Sequence, residues 1–364
     1  MDLKRYYPVV VLILVVILIQ ILTSLFGITF YLTQLTMSAY YSLLTIGLCM
    51  LMGYAGQISL GQAGFFAIGG YTTAFLTTVN LIDKAEAPVL SLFKSLGIMV
   101  LREDLYGNKI LHLSPWVAFL FAVIITIFIA FLIGVPVLKL KGHYLAMATL
   151  GFGIIVYRVV LGTRAFGEAD GITRVPGFNL LPGIRVSGDF ANRVENYYIA
   201  WVLVIIGAIL LINLVNSRAG RALRYLHGSE EAASTMGVNV SRYKLNVFVL
   251  SAIYASVAGV FLTHFNAGIG PSEASVMKSV RYVAIVAAGG MANLWGTLIM
   301  AVTLNFLSLR GVFGTYDDAV FAVILIVIML FAPRGLIRKG VISEIEFAFK
   351  KLKPGGIIKV KRES

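Results

Sequence analysis

Residues 53–65 run Gly53-Tyr54-Ala55-Gly56-Gln57-Ile58-Ser59-Leu60-Gly61-Gln62-Ala63-Gly64-Phe65, and Gly69-Gly70-Tyr71 follows closely. Six glycines fall between residues 53 and 70, with Gln57, Ser59 and Gln62 among them. Long apolar runs flank the stretch, at about 31–52 and 60–79. Two structures fit this pattern. One is a turn leading into a helix whose small residues allow close packing. The other is a broken or re-entrant segment at membrane depth, where irregular backbone persists only if buried in protein or facing a cavity. Half-helix ends at such a break offer N–H groups to a carboxylate and C=O groups to an ammonium. The residues alone leave both structures open.

The composition around the stretch excludes a soluble fold. Of 364 residues, 59% are hydrophobic and only 13% charged, and the mean hydropathy is +0.90. Soluble domains carry about 25% charged residues, so lipid has to cover this surface. Besides the two flanking runs, apolar runs lie at about 8–27, 115–138, 144–163, 197–216, 245–266, 279–292, 294–310 and 319–332. The expected fold is all-α and polytopic, with about ten transmembrane helices (8–10) and the Gly-rich segment as its break. The pair 279–310 is short enough to fold back as a re-entrant hairpin. The stretch from Pro8 follows Lys4-Arg5 and is too long for a signal-peptide core, so it reads as the first span.

Charge tests the parity of ten spans. With the N-terminus inside, the inner segments are the N-terminus, 53–59, 139–143, 217–244 and everything after Pro333. They hold 18 of the 30 Lys and Arg and 6 of the 17 acids, which is +12 of the formal +13. Basic residues concentrate on the cytoplasmic side of membrane proteins, so both termini are expected there, in a cell inner or plasma membrane. In the outer loop 80–114 the charges cancel, and residues 88–101 have the pattern of a short amphipathic helix. Residues 1–336 read as the membrane domain and 337–364 as a basic amphipathic cytoplasmic tail. In that tail Ser343 and Glu346 form a capping box, and Ile345, Phe349 and Leu352 fall on one face. Adjacent anionic lipid, rather than nucleic acid, is the partner such a tail suits.

Several chemistries are missing from the sequence. Cys49 is the lone cysteine, and His112, His143, His227 and His264 are scattered. No metal-ligand spacing results, and His264 is expected to be a packing residue. There is no Gly-Lys dipeptide and hence no phosphate-binding loop, so a nucleotide-driven process needs a separate ATPase chain. No Asp or Glu lies near the centre of a predicted span, where proton-coupled carriers keep carboxylates. Arg158 lies within a span, close enough to its end to reach the interface. No catalytic residues are expected.

The largest inner loop, 217–244, has helix signals. Ser229 suits an N-cap, Glu230 and Glu231 suit the first turn, and Gly237 suits a C-terminal stop. A helix this short is unstable alone and needs something to dock on. Its Glu231-Ala232-Ala233-x-x-x-Gly237 spacing resembles the cytoplasmic coupling loop of ABC-importer permeases. The 53–65 stretch resembles the Gly-Tyr-x-Gly-Gln-x-Ser-Leu-Gly segment of the branched-chain amino-acid ABC transporter permease family, LivM type. Three further stretches agree with that family: Tyr144-Leu145-Ala146-Met147-Ala148-Thr149-Leu150-Gly151-Phe152-Gly153, Ser217-Arg218-Ala219-Gly220-Arg221-Ala222-Leu223 and Phe331-Ala332-Pro333-Arg334-Gly335-Leu336. Departures are Ile154, where the family commonly has an acidic or polar residue, Met291-Ala292-Asn293 within its Gly-rich inner turn, and the 80–114 loop.

The resemblance implies a permease rather than an enzyme, with no cofactor of its own. It implies a substrate pathway at Tyr54, Gly56, Gln57, Ser59, Gly61, Gln62 and Gly64. It also implies ATPase coupling through Arg221, Glu230, Glu231, Ala232, Ala233, Met236 and Gly237. The expected partners are a second homologous permease subunit, two ABC ATPase subunits binding ATP and Mg, and an extracytoplasmic solute-binding protein. Branched-chain amino acids are the expected solutes. Urea or amides, or ion-coupled secondary transport, are the alternatives.

Overall fold

The computed structural model describes residues 6–80, 82, 99–103 and 109–331. The tail helix at 343–353, most of the 88–101 segment and the Lys4-Arg5 pair lie outside them. Among the described residues, apolar helices occupy all ten predicted runs. They are α1 (Tyr7–Leu25), α2 (Phe30–Cys49), α3 (Gln62–Thr78), α4 (Pro115–Val137), α5 (His143–Gly162), α6 (Arg193–Asn216), α9 (Val240–Phe265), α10 (Val276–Gly289), α11 (Leu294–Leu309) and α12 (Asp317–Phe331). Two short polar helices, α7 (Arg218–Gly228) and α8 (Glu230–Thr235), lie between α6 and α9. Six of the apolar helices (α1, α2, α4, α5, α6 and α9) are each long and apolar enough to cross a bilayer. The chain is a multi-pass membrane protein.

Helix α2 is the hub. It is almost wholly buried, whereas α1 is mostly exposed, although both are apolar enough to cross a bilayer. The difference lies in side-chain size and polarity. Helix α2 carries Thr36, Ser38, Ser42 and Thr45 at full burial, each bonding a carbonyl three or four residues back. Helix α1 presents Leu14, Leu18 and Leu25 outward, as a lipid-facing helix does.

Small residues set the close crossings. A Cβ on Gly259 of α9 would come within 2.1 Å of the Phe66 carbonyl oxygen of α3, and one on Gly69 of α3 within 2.5 Å of the Ser256 carbonyl oxygen. Without a hydrophobic driving force between helices in lipid, such backbone approach is what holds spans together. His264 on α9 is a packing residue, as expected. It is fully buried, with Nε2 3.1 Å from Thr73 Oγ1 and Nδ1 2.7 Å from the Pro176 carbonyl.

One end of the bundle, which holds α7, α8 and Lys139 to Lys141, is called the basic end here. At the opposite end the chain forms small sheets: β1 (Met99–Glu103) with β2 (Lys109–Leu113), β3 (Ile172–Thr173) with β6 (Gly268–Ile269), and β4 (Phe178–Leu181) with β5 (Ile184–Val186), all antiparallel. The amphipathic-helix expectation for 88–101 is corrected where it is described. Residues 99–101 are strand, because residues 111–113 supply an antiparallel partner. The architecture is otherwise all-α.

Candidate functional site: a broken helix and a capped loop at the basic end

The Gly-rich stretch is a break. Helix α2 widens into a π-helical turn at Met50–Tyr54, and Gly56 then takes φ +67°, a left-handed conformation open to glycine at no steric cost. Residues 57–61 run without helix until α3 starts at Gln62. Side chains alternate along this run as in a strand: Gln57 and Ser59 are buried, and Ile58 points out.

Neighbouring elements satisfy parts of the irregular backbone. The Leu60 N–H donates to Thr149 Oγ1 of α5 at 3.0 Å, and the Ala63 N–H donates to Ser279 Oγ of α10 at 3.2 Å. The side chains of Gln57 and Gln62 are different. They are 2% and 0% exposed, and neither the oxygen nor the nitrogen of either amide has a hydrogen-bond partner. A buried amide without partners costs about 1–3 kcal/mol. Gln57 lies in the unwound run and Gln62 at the N-terminal, positive pole of α3, so the break carries two buried polar groups without protein partners.

The expected pathway residues therefore divide. Gln57 and Gln62 are the free polar groups, and Ser59 Oγ accepts from the Gly61 N–H at 3.4 Å. Gly61 and Gly64 face α5, where an added Cβ would lie 3.0 Å from the Thr149 carbonyl oxygen and 3.2 Å from Phe152. Their role is to let α5 approach. Tyr54 is half-buried at the end of the π turn, and Gly56 abuts His227 of α7, whose Nδ1 would stand 2.9 Å from an added Cβ.

The loop at the basic end folds as its residues dictate. Ser217 caps α7, accepting from the Ala219 and Gly220 N–H groups, and Ser229 caps α8, accepting from the Ala232 N–H at 3.2 Å. The Gly237 N–H donates to the Ser234 carbonyl and the Val238 N–H to the Ala233 carbonyl, with Gly237 at φ +78°. This is a Schellman ending. Glu230 pairs with Lys244, a residue buried at the base of α9. Ala233 is buried and tethers α8 to the body, while Arg221, Glu231, Ala232, Met236 and Gly237 are exposed. Met236 is 74% exposed, an apolar side chain displayed beside a docking-sized helix.

One polar group had no sequence signal. Glu273 and Lys278, which hydropathy places in an outer loop, bond each other and Tyr41 of α2. Helix α10 also carries Arg281, bonded to Ser308 and to Asp317 and Asp318 at the start of α12. Lys278 and Arg281 are thus charges within a span in addition to Arg158.

Residues 30–332 match the family described as the branched-chain amino acid transport system permease component. The chain belongs to this permease family. The LivM permease protein of the high-affinity branched-chain amino acid transport system of Salmonella typhimurium is 29% identical, over 83% of this chain and 68% of that protein. The LivH permease protein of the same kind of system in Escherichia coli is 23% identical, over 85% of this chain and 95% of that protein. The ribose import permease protein RbsC of Escherichia coli is 30% identical over 36% of this chain. No solved structure matches the chain. This member of the permease family is a transporter component and not an enzyme, and both the Gly-rich break and the α7–α8 loop fall inside its matched region.

Proposed function

We propose that the chain is the permease subunit of an ABC importer for branched-chain amino acids, crossing a cell inner or plasma membrane with both termini in the cytoplasm. Its partners in this reading are a second homologous permease, two ATPase subunits that bind ATP and Mg, and an extracytoplasmic solute-binding protein. The basic end faces the cytoplasm, in keeping with the +12 of charge expected there. Helix α8 seats on an ATPase through its exposed Glu231, Ala232 and Met236 surface, with Arg221 beside it. Movement of the α7–α8 pair reaches the spans by two contacts, Glu230 of α8 with Lys244 on α9 and His227 of α7 with Gly56 at the break. The path runs past Gln57, Ser59 and Gln62.

The observation that carries this reading is the pair of buried, unpartnered glutamine amides beside the unwound start of α3. The test is ATP-driven leucine uptake into proteoliposomes holding this chain with its partners, with Gln62→Leu in parallel. Leucine uptake that requires ATP, and that falls about tenfold in the variant, is expected, since a lost hydrogen bond to a charged group is worth about 1.5–3 kcal/mol. Uptake that proceeds without ATP would overturn the reading in favour of ion-coupled transport.

A further inference from the structure

Helix α10 starts deep. Gly53, at the basic end of α2, abuts the Met291–Ala292 turn that follows α10. Tyr41 lies twelve residues up the same α2 helix, about 18 Å at 1.5 Å per residue. In a hydrocarbon core about 30 Å thick, that is close to mid-depth. Tyr41 is also the residue that bonds Glu273 and Lys278. The chain therefore descends after α9, along residues 268–275, and α10 begins inside the membrane with Ser275 as its cap.

At that depth stands a charged cage. Glu273 Oε1 accepts from the Tyr41 hydroxyl at 3.0 Å and from the Lys278 ammonium at 3.1 Å. The same ammonium lies 3.2 Å from the Tyr41 oxygen and 4.7 Å over its ring, an arrangement in which π-face and carboxylate both favour a cation. Glu273 Oε2 is unpartnered, as are the hydroxyls of Tyr71 and Tyr282. Both tyrosines are at least 98% buried. The Glu273 and Lys278 side chains keep 17% and 22% exposure, so the pair is not sealed inside the bundle. Ionisable groups at this depth face a bundle interior or an aqueous path rather than lipid. Ser279, which follows Lys278 on α10, accepts from the Ala63 N–H in the first turn of α3, so the start of α3 at Gln62 packs against the start of α10.

We propose that this cluster is the site that receives the ammonium group of a zwitterionic solute, with Lys278 holding the place when no solute is present. The solute ammonium takes over Glu273 Oε1 and the Tyr41 hydroxyl and ring. The released Lys278 and the start of α3 at Gln62 then receive the solute carboxylate. Each buried charge keeps an opposite partner throughout, which avoids the large penalty of an unpaired ion in this setting. The inference rests on the reading of the solute as an amino acid, and it names the residues that recognise the amino-acid head group.

The test uses the complete reconstituted transporter and the paired variant Glu273→Gln with Lys278→Met. Neutralising both partners leaves no orphaned buried charge, and such replacements are often tolerated. Leucine uptake is expected to fall about tenfold or more, while ATPase stimulation by the loaded binding protein stays within about twofold. Uptake close to wild type would overturn the proposal and leave the pair a structural tie. Tyr41→Phe covers the case in which the paired variant fails to assemble. It deletes one hydroxyl from a buried ring, and unchanged leucine uptake would overturn the proposal equally. Wild-type transporter that takes up no leucine while remaining ATPase-active would instead defeat the amino-acid reading itself. Retained wild-type uptake alongside unaffected variants defeats the ammonium site alone.

Discussion

Gly237 combines a left-handed φ of +78° with a Schellman hydrogen-bond pair, and nothing lies within 4 Å of where its Cβ would stand. The constraint there is conformational and not steric. A β-branched residue at this φ costs about 1–2 kcal/mol, enough to unwind a helix of six residues without disturbing the spans. Gly237→Val is therefore expected to insert and assemble normally while losing most ATP-driven uptake, with ATP hydrolysis continuing. Parallel uptake and hydrolysis assays check this, and uptake matched to hydrolysis as in wild type would dismiss α8 as the coupling element. The residues of α8 were legible in the sequence because each signal is local: Ser229 bonds a group three residues away, and Gly237 one three residues back. Lys244 was not legible as the partner of Glu230, because that ion pair closes between separate helices.

Among elements, the α3–α9 crossing is one of the closest backbone approaches in the bundle. Gly259 faces a backbone carbonyl, which cannot rotate away as a side-chain tip can. Gly259→Val is expected to destabilise the protein by about 1–3 kcal/mol, the usual cost of overpacking. It should lower the thermal unfolding midpoint in detergent by several degrees. Gly151→Val on α5 is the control, since nothing lies within 4 Å of its Cβ position. Equal midpoints for the two variants would remove the crossing as a stabilising contact. The break before α3 was visible as composition, six glycines with interleaved glutamines. Its supports, Thr149, Ser279 and His227, come from three other elements and have no local signature. The strand at 99–103 was missed for the same reason, since its pairing partner begins six residues beyond its end.

For the whole molecule, the placement of charge predicts orientation. Lys141 is exposed between α4 and α5 at the basic end, and the native Cys49 is fully buried. Lys141→Cys is therefore expected to react with a membrane-impermeant maleimide in inside-out vesicles and not in intact cells. Labelling from the outside would invert the topology proposed here. The sequence by itself determined that this is a helical membrane protein, where its apolar helices lie, that glycines and glutamines crowd one junction between them, and that a capped helix lies in the basic loop. Those features follow from hydropathy, glycine content and capping, which act over a few neighbouring residues. The depth at which each residue sits was decided only by the tertiary structure. Glu273 and Lys278 read as outer-loop charges until the descent of residues 268–275 brings them to Tyr41. Hydropathy counts apolar residues along the chain, whereas burial depends on which helix the chain turns back against. A charged pair at mid-membrane is stable only when a partner from another span, here Tyr41 of α2, meets it there.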